Sequence, residues 1–196
     1  MKFDEQNIQL ETVDGFDFDN ELKEILQPGA SVTDENGNTY IYPRYFYKID
    51  SFDAATKAKL TPNFFMSEFV RVDYRETELL RAYPRYIPLA VTQTAAMLEV
   101  FRRKVGTGVM IATNGGYRSP KHALNTHVST HSWGTAANIF KIGKSKLNSE
   151  EEINKYAQIF RDVLPGVWVR PAGTVPGTTF DQLHIDLGYT NVLPKS

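Results

Sequence analysis

Ser129-Thr130-His131-Ser132-Trp133-Gly134-Thr135-Ala136-Ala137-Asn138, joined further on by Asp181-Gln182-Leu183-His184, is the stretch on which the reading of this chain turns. A histidine, a short polar residue seven positions later and a distant second histidine make a three-ligand frame for a catalytic metal. An acid three residues before the last histidine stands where it can activate a water. The middle position is Asn138, where this chemistry asks for an aspartate. An amide oxygen can approach a zinc ion but brings no charge to offset it, whereas an aspartate binds as the anion. Asn138 is therefore read in two ways, as a weak ligand or as a residue hydrogen-bonding His131 or a water.

The order of these blocks resembles that of the zinc D-alanyl-D-alanine peptidase superfamily. That group includes cell-wall carboxypeptidases, D-Ala-D-Ala dipeptidases, L-Ala-D-Glu endolysins and the Hedgehog N-terminal domain. The matching residues are Tyr117-Arg118-Ser119-Pro120, Ser129, His131, Gly134, Ala136, Asp181 and His184, and Asn63 to Phe69 resembles the opening of many such domains. The likeness covers roughly residues 61–190, and Asn138 departs from it. It implies a central, mostly antiparallel sheet with helices on one side and the metal site on the other. It further implies Zn²⁺ held by His131, Asn138 and His184, with Asp181 as general base. Arg118 would face a substrate carboxylate or the developing oxyanion, which its planar fork suits. Ser129 would add polar contacts near the substrate, and Tyr117 and Trp133 join the substrate-binding candidates. Trp133 alone reads equally well as a cleft wall or as core.

Other nearby groups are weighed against this set. His127 precedes His131 by four residues, but Val128-Ser129-Thr130 is a poor helix former, so chelation by that pair is not expected. Asp186 shares a strand face with His184, and its expected role is to orient a histidine by a hydrogen bond. The Gly115-Gly116 pair lacks the Gly-Lys-Ser/Thr ending of a phosphate loop, which excludes that form of nucleotide binding.

Composition bounds the rest. A chain of 196 residues with 41% hydrophobic and 12% aromatic residues can build a real core. No run of about 18 apolar residues occurs, so no transmembrane segment is expected. There is no cysteine, so any metal must be held by histidine, carboxylate or amide. Residues 1–35 carry ten Asp and Glu against two Lys, while the remainder carries thirteen against twenty Lys and Arg. That basic body would favour a polyanionic surface such as wall polymer, or is simply a solvated surface. No dense basic run with interleaved aromatics points to nucleic acid. Met1 to Glu5 lacks the layout of a secretory signal, so the chain is expected to be cytoplasmic as made, with export or phage lysis as its route to the wall.

Periodicity and turn signals place the elements of an α+β fold. Residues 1–60 read as an acidic extension with a β-hairpin over Ala30 to Tyr42, turning at Asn36-Gly37 as type I′. Residues 20–27 read as a short helix, 43–60 as a connector and 61–196 as the peptidase-like domain. Ile87, Val91, Thr94, Ala95, Leu98, Phe101 and Val105 recur at helical spacing, which predicts a buried helix over 87–105. A strand over 109–113, a short helix after Pro120 and a strand over 135–142 follow. Ser149 caps a helix to about Leu164, and strands at 167–170 and 183–187 close the sheet. Two functions follow from these residues. One is a zinc peptidase acting on peptidoglycan peptides. The other is a catalytically inactive module of the same fold that binds wall fragments or a protein partner.

Overall fold

The computed structural model describes residues 9–173, 178–179 and 181–194; the first eight residues of the acidic segment, and Lys195 and Ser196, lie outside this range. In chain order the elements are β1 (Glu11–Asp14), α1 (Asn20–Leu26), β2 (Ser31–Thr33), β3 (Thr39–Ile41), β4 (Tyr45–Ile49) and α2 (Phe52–Lys57). There follow β5 (Lys59–Thr61), β6 (Phe64–Phe65), α3 (Met66–Phe69), α4 (Glu78–Arg81), β7 (Arg85–Pro88) and α5 (Val91–Val105). The chain closes with β8 (Val109–Ile111), β9 (Ala136–Ile142), β10 (Ser145–Lys146), α6 (Glu150–Val163), β11 (Trp168–Val169) and β12 (Leu183–Asp186). This is an α+β architecture, and all the strand pairs are antiparallel.

The larger sheet runs β10-β9-β12-β11, with β8 on β9 as well. Ile139 pairs with both β12 and β8, so those two strands flank opposite edges of β9. Side chains alternate across a strand. Ile139, Leu183 and Ile185 accordingly enter the hydrophobic core with Ile153, Ala157 and Phe160 of α6, while Asn138, His184 and Asp186 take the other face. Phe101 of α5 meets Phe160 at a ring separation of 4.4 Å, joining the two long helices. Ser149 caps α6, its hydroxyl accepting from the Glu152 amide at 3.2 Å. The last turn of α5 carries Arg102, Arg103 and Lys104 and stops at Gly106 with φ 68°, a conformation that favours glycine.

Residues 9–60 share a sheet and the core with the rest of the described residues. β4 pairs with β1 on one edge and with β7 on the other, so the segment read as a connector is the middle strand of a second sheet. Phe18, Leu26, Phe46, Ile49, Ala55 and Ala58 belong to the same core as α5 and α6. The hairpin at 31–41 is present, but not with a type I′ turn. Asn36 does not have positive φ, whereas Gly37 does, at 84°. Asp34 organises the loop instead, its carboxylate accepting from the amides of Asn36 and Asn38, both at 2.9 Å. Such local side-chain acceptors are what turns recruit aspartate for. The helix expected after Pro120 is a set of turns, and β7 occupies the beginning of the segment read as one helix over 87–105. Among the described residues no helix is long and apolar enough to cross a membrane.

Candidate active site

Asn138 and His184 are direct cross-strand partners in the β9–β12 ladder, so sheet register alone sets them side by side. The backbone of Asn138 is held on both sides: its amide donates to the Gly115 carbonyl at 2.7 Å and its carbonyl accepts from the Ala112 amide at 2.9 Å. Gly116 lies so near Phe69 that an added Cβ would sit 2.4 Å from the Phe69 carbonyl oxygen. Only glycine permits that approach. The same Phe69 carbonyl accepts from the Tyr117 amide at 2.8 Å, so the Asn63–Phe69 segment anchors the turn that carries Arg118.

His131 arrives on a 3₁₀ turn, Thr130–Trp133, ended by Gly134 at φ 72°. Thr94 of α5 holds that end by donating to the Gly134 carbonyl at 2.7 Å. His131 Nδ1 lies 2.6 Å from the Gly116 carbonyl oxygen. A carbonyl can only accept, so Nδ1 carries the hydrogen and Nε2 presents a lone pair. That Nε2 is buried and has no partner among the described residues. The His131 and His184 ring centres are 5.2 Å apart.

His184 is engaged at both nitrogens. Nε2 donates to Asp186 Oδ2 at 3.1 Å, and Nδ1 lies 2.6 Å from Asn138 Oδ1. Asp186 is fixed in turn by the Thr130 hydroxyl at 3.3 Å and the Gly188 amide at 2.9 Å. With its proton on Nε2, neutral His184 turns a lone pair toward an amide oxygen. Two acceptors do not rest at hydrogen-bond distance without a proton or a cation between them. Burial lowers the His184 pKa, with Arg170 and Arg118 adding to that and Asp186 opposing it, so a second proton on the ring is disfavoured. Two arrangements remain. The amide can turn over so that Nδ2–H donates to Nδ1, or a cation can lie between the donors.

The donors on hand therefore fit the zinc ion that the family resemblance implies: two neutral imidazoles and an amide oxygen, the nitrogen and oxygen types zinc takes. No anion completes the set. Among the described residues no three His, Cys, Asp or Glu side chains come together as a metal-ligand group. The fit is thus that of a weak site.

A cleft of about 1090 Å³ opens over these residues, lined also by Arg71, Arg75, Arg118, Arg170, Asp181 and Trp168. Arg118 is 9% exposed, and its only side-chain hydrogen bond among the described residues is a long one, 3.4 Å, to the Ser129 hydroxyl. Burial, and then the neighbouring Arg170, pull its pKa down to about 10. Asp181 is exposed and lines the same cleft as the two histidines. His127 is exposed as well, its ring 3.3 Å from Glu35 of the hairpin loop, outside the histidine pair.

Two residues anticipated at the substrate are elsewhere. Tyr117 is buried, away from the cleft lining, and burial drives its phenol well above the usual value. Trp133 is fully buried, stacked on Tyr42 at 4.6 Å, with its indole N–H donating to the Ile41 carbonyl at 2.9 Å. Arg170 and Asn114 were missed from the sequence. Neither falls in a recognisable motif, and the one hint was an arginine ending the strand that borders His184. Glu76 was missed too. Its buried carboxylate accepts from the Ser119 amide at 3.0 Å and the Ser119 hydroxyl at 2.6 Å, fixing the turn after Arg118.

Burial lowers the pKa of His122, His131 and His184 alike. An unfolded histidine titrates near ~6.5, so below that pH the unfolded chain binds protons that the folded one refuses. Their contribution is therefore complete above about pH 6.5 and is lost as pH falls. In chelator, the urea midpoint is expected to drop steadily from pH 7 to 5, and His131→Gln to flatten the slope. An unchanged slope in that variant would remove His131 as a source.

No family model, no curated protein and no solved structure matches this chain.

Proposed function

We propose that the chain is a zinc metallopeptidase-type protein with the Hedgehog-like arrangement of the D-Ala-D-Ala carboxypeptidases, acting on peptidoglycan peptides. The observation that carries this reading is the His131 Nε2 lone pair, buried and unpartnered, in the same cleft as the Asn138–His184 pair. His131, Asn138 and His184 would hold Zn²⁺, and Zn²⁺ at this place supplies polarisation of a carbonyl and acidification of water. The chain's own residues do the rest. The Gly116 carbonyl keeps the His131 proton on Nδ1, and Asp186 keeps that of His184 on Nε2. Arg118 holds an anionic oxygen of the peptide, and Ser129 steadies its guanidinium. Asp181 takes a proton from the attacking water and returns it to the leaving amine.

A second reading is favoured by one feature, the absence of charge at Asn138. With the amide turned over, Asn138 and His184 satisfy each other, and the cleft serves as a binding site for wall fragments or a protein partner. Zinc titration of the full chain beside an assay of D-alanine or muropeptide-fragment release from purified peptidoglycan separates the two. Weak one-to-one zinc uptake with slow release is expected. Asp181→Ala is expected to lower release by about 10² or more, the usual worth of a general base, with zinc content unchanged. No zinc uptake, or uptake without release, selects the binding module.

A further inference from the structure

Several buried donors of the cleft-lining residues lack an acceptor among the described residues. Arg118 Nε, Arg170 Nε and Asn114 Nδ2 are each buried without a hydrogen-bond partner among the described residues, and all three residues line the cleft. Two of the three side chains are at least nine-tenths buried, Asn114 at 2% exposed and Arg118 at 9%. Neither Arg118 nor Arg170 makes an ion pair with a described carboxylate. Of the two aspartates that line the cleft, Asp186 is held by His184, Thr130 and Gly188, and Asp181 is exposed.

The half-buried Arg170 repels the buried Arg118 guanidinium, and the buried Nε of each lacks an acceptor until an anion arrives. A carboxylate matches one guanidinium, two parallel N–H groups to two oxygens, and leaves the other unsatisfied. The strand geometry keeps the second cation beside the site, since the Arg170 amide donates to the His184 carbonyl at 3.0 Å. Its guanidinium lies over Trp168, 5.8 Å from the ring centre, and Trp168 is 49% exposed.

We propose that Arg170 is a specificity-determining residue which, with Arg118 and Asn114, selects a peptide end bearing two carboxylates. The proposal deepens the peptidase reading by naming the substrate class of that cleft. Arg118 takes one carboxylate, and Arg170 takes the other. Asn114 donates to whichever oxygen is left over. Trp168, beside Arg170, reports occupancy through its fluorescence.

The test uses the full chain in EDTA, so that binding is measured without metal and independently of turnover. N-acetyl-D-Ala-D-Glu is compared with N-acetyl-D-Ala-D-Gln, which has nearly the same shape and one carboxylate fewer, by calorimetry and Trp168 fluorescence. The dicarboxylate is expected to bind at least about 10-fold more tightly, in keeping with a charge-assisted pair. Arg170→Gln should erase that preference, weakening the dicarboxylate about 10-fold more than the glutamine peptide, and Arg170→Lys should restore part of it. Equal binding of the two peptides, no binding of either, or equal weakening of both by Arg170→Gln overturns the proposal. So does inorganic phosphate that competes as well as the dicarboxylate peptide, since the clamp would then read charge alone. Failure of zinc uptake would sink the peptidase reading and leave this result intact.

Discussion

Asn138→Asp is expected to raise the affinity for Zn²⁺ by at least about 100-fold, the upper end of what even an indirect partner of a metal ligand is worth. The substitution is nearly isosteric and asks nothing of the backbone, whose amide and carbonyl at 138 are already bound to Gly115 and Ala112. It adds one negative charge to a set that otherwise offers two neutral imidazoles, in a cleft where Arg118 and Arg170 favour a carboxylate. The new carboxylate would also raise the proton affinity of His184, whose Nδ1 it faces. Zinc must then displace a proton, so the gain should shrink as pH falls below neutrality. Titration against a competing chelator at pH 7.5 and pH 6 measures both effects. Equal affinity in the two proteins would mean that position 138 is no ligand.

Trp133→Ala should produce the largest loss of stability, about 3–5 kcal/mol, the range for removing a buried large aromatic. The ring is wholly buried and meets Tyr42 at 4.6 Å, Tyr189 at 4.9 Å and Tyr40 at 6.4 Å. It thereby ties the hairpin β2–β3 to the turn that carries His131. For a domain of this size each kcal/mol moves Tm by roughly 2–4 °C, so a fall on the order of 10 °C is expected in thermal unfolding. Trp133→Phe keeps most of the ring packing and loses the indole donor. The Ile41 carbonyl retains the Asn191 amide at 2.9 Å, so that variant should lose only about 1 kcal/mol from the missing bond, apart from repacking. A Tm in Trp133→Ala close to that of the parent would show that the hairpin is not held through this residue.

The parts of the fold legible in the sequence are those with long or repeated patterns. α5 and α6 announce themselves by apolar spacing, β8 by its β-branched run, and β12 by the alternation of Leu183, Ile185 and Leu187 with His184 and Asp186. The middle strand β4 was hidden because its partners are four-residue strands far apart in the chain, and no local period reports a pairing of that kind. The hairpin was located by Asn36-Gly37, but Asp34 supplied acceptors that turned the loop another way. In the site, His131, Asn138 and His184 were visible as types at a spacing. Arg170, Asn114 and Glu76 were not, because each owes its place to burial beside a distant segment. Tyr117 is adjacent to Arg118 in sequence yet turns into the core, since neighbours on an extended chain point opposite ways.

The direct pairing of Asn138 with His184 also bears on how faithfully the protein must fold. A slip of one residue between β9 and β12 would turn the apolar side chains out of the core and is strongly penalised. A slip of two residues keeps every side chain on its own face. In one direction it would set Asp186 across from Asn138 and bring Ile185 opposite Ile139 in place of Leu183, a near-even exchange for the core. Hydrophobic burial barely distinguishes that state from the native one, although its site would be scrambled. The discrimination falls to polar contacts at the strand ends: the Leu187 amide on the Thr135 carbonyl at 3.1 Å, and Asp186 capping the Gly188 amide while it holds Thr130. The same aspartate that orients His184 thus proofreads the alignment of the sheet that delivers it.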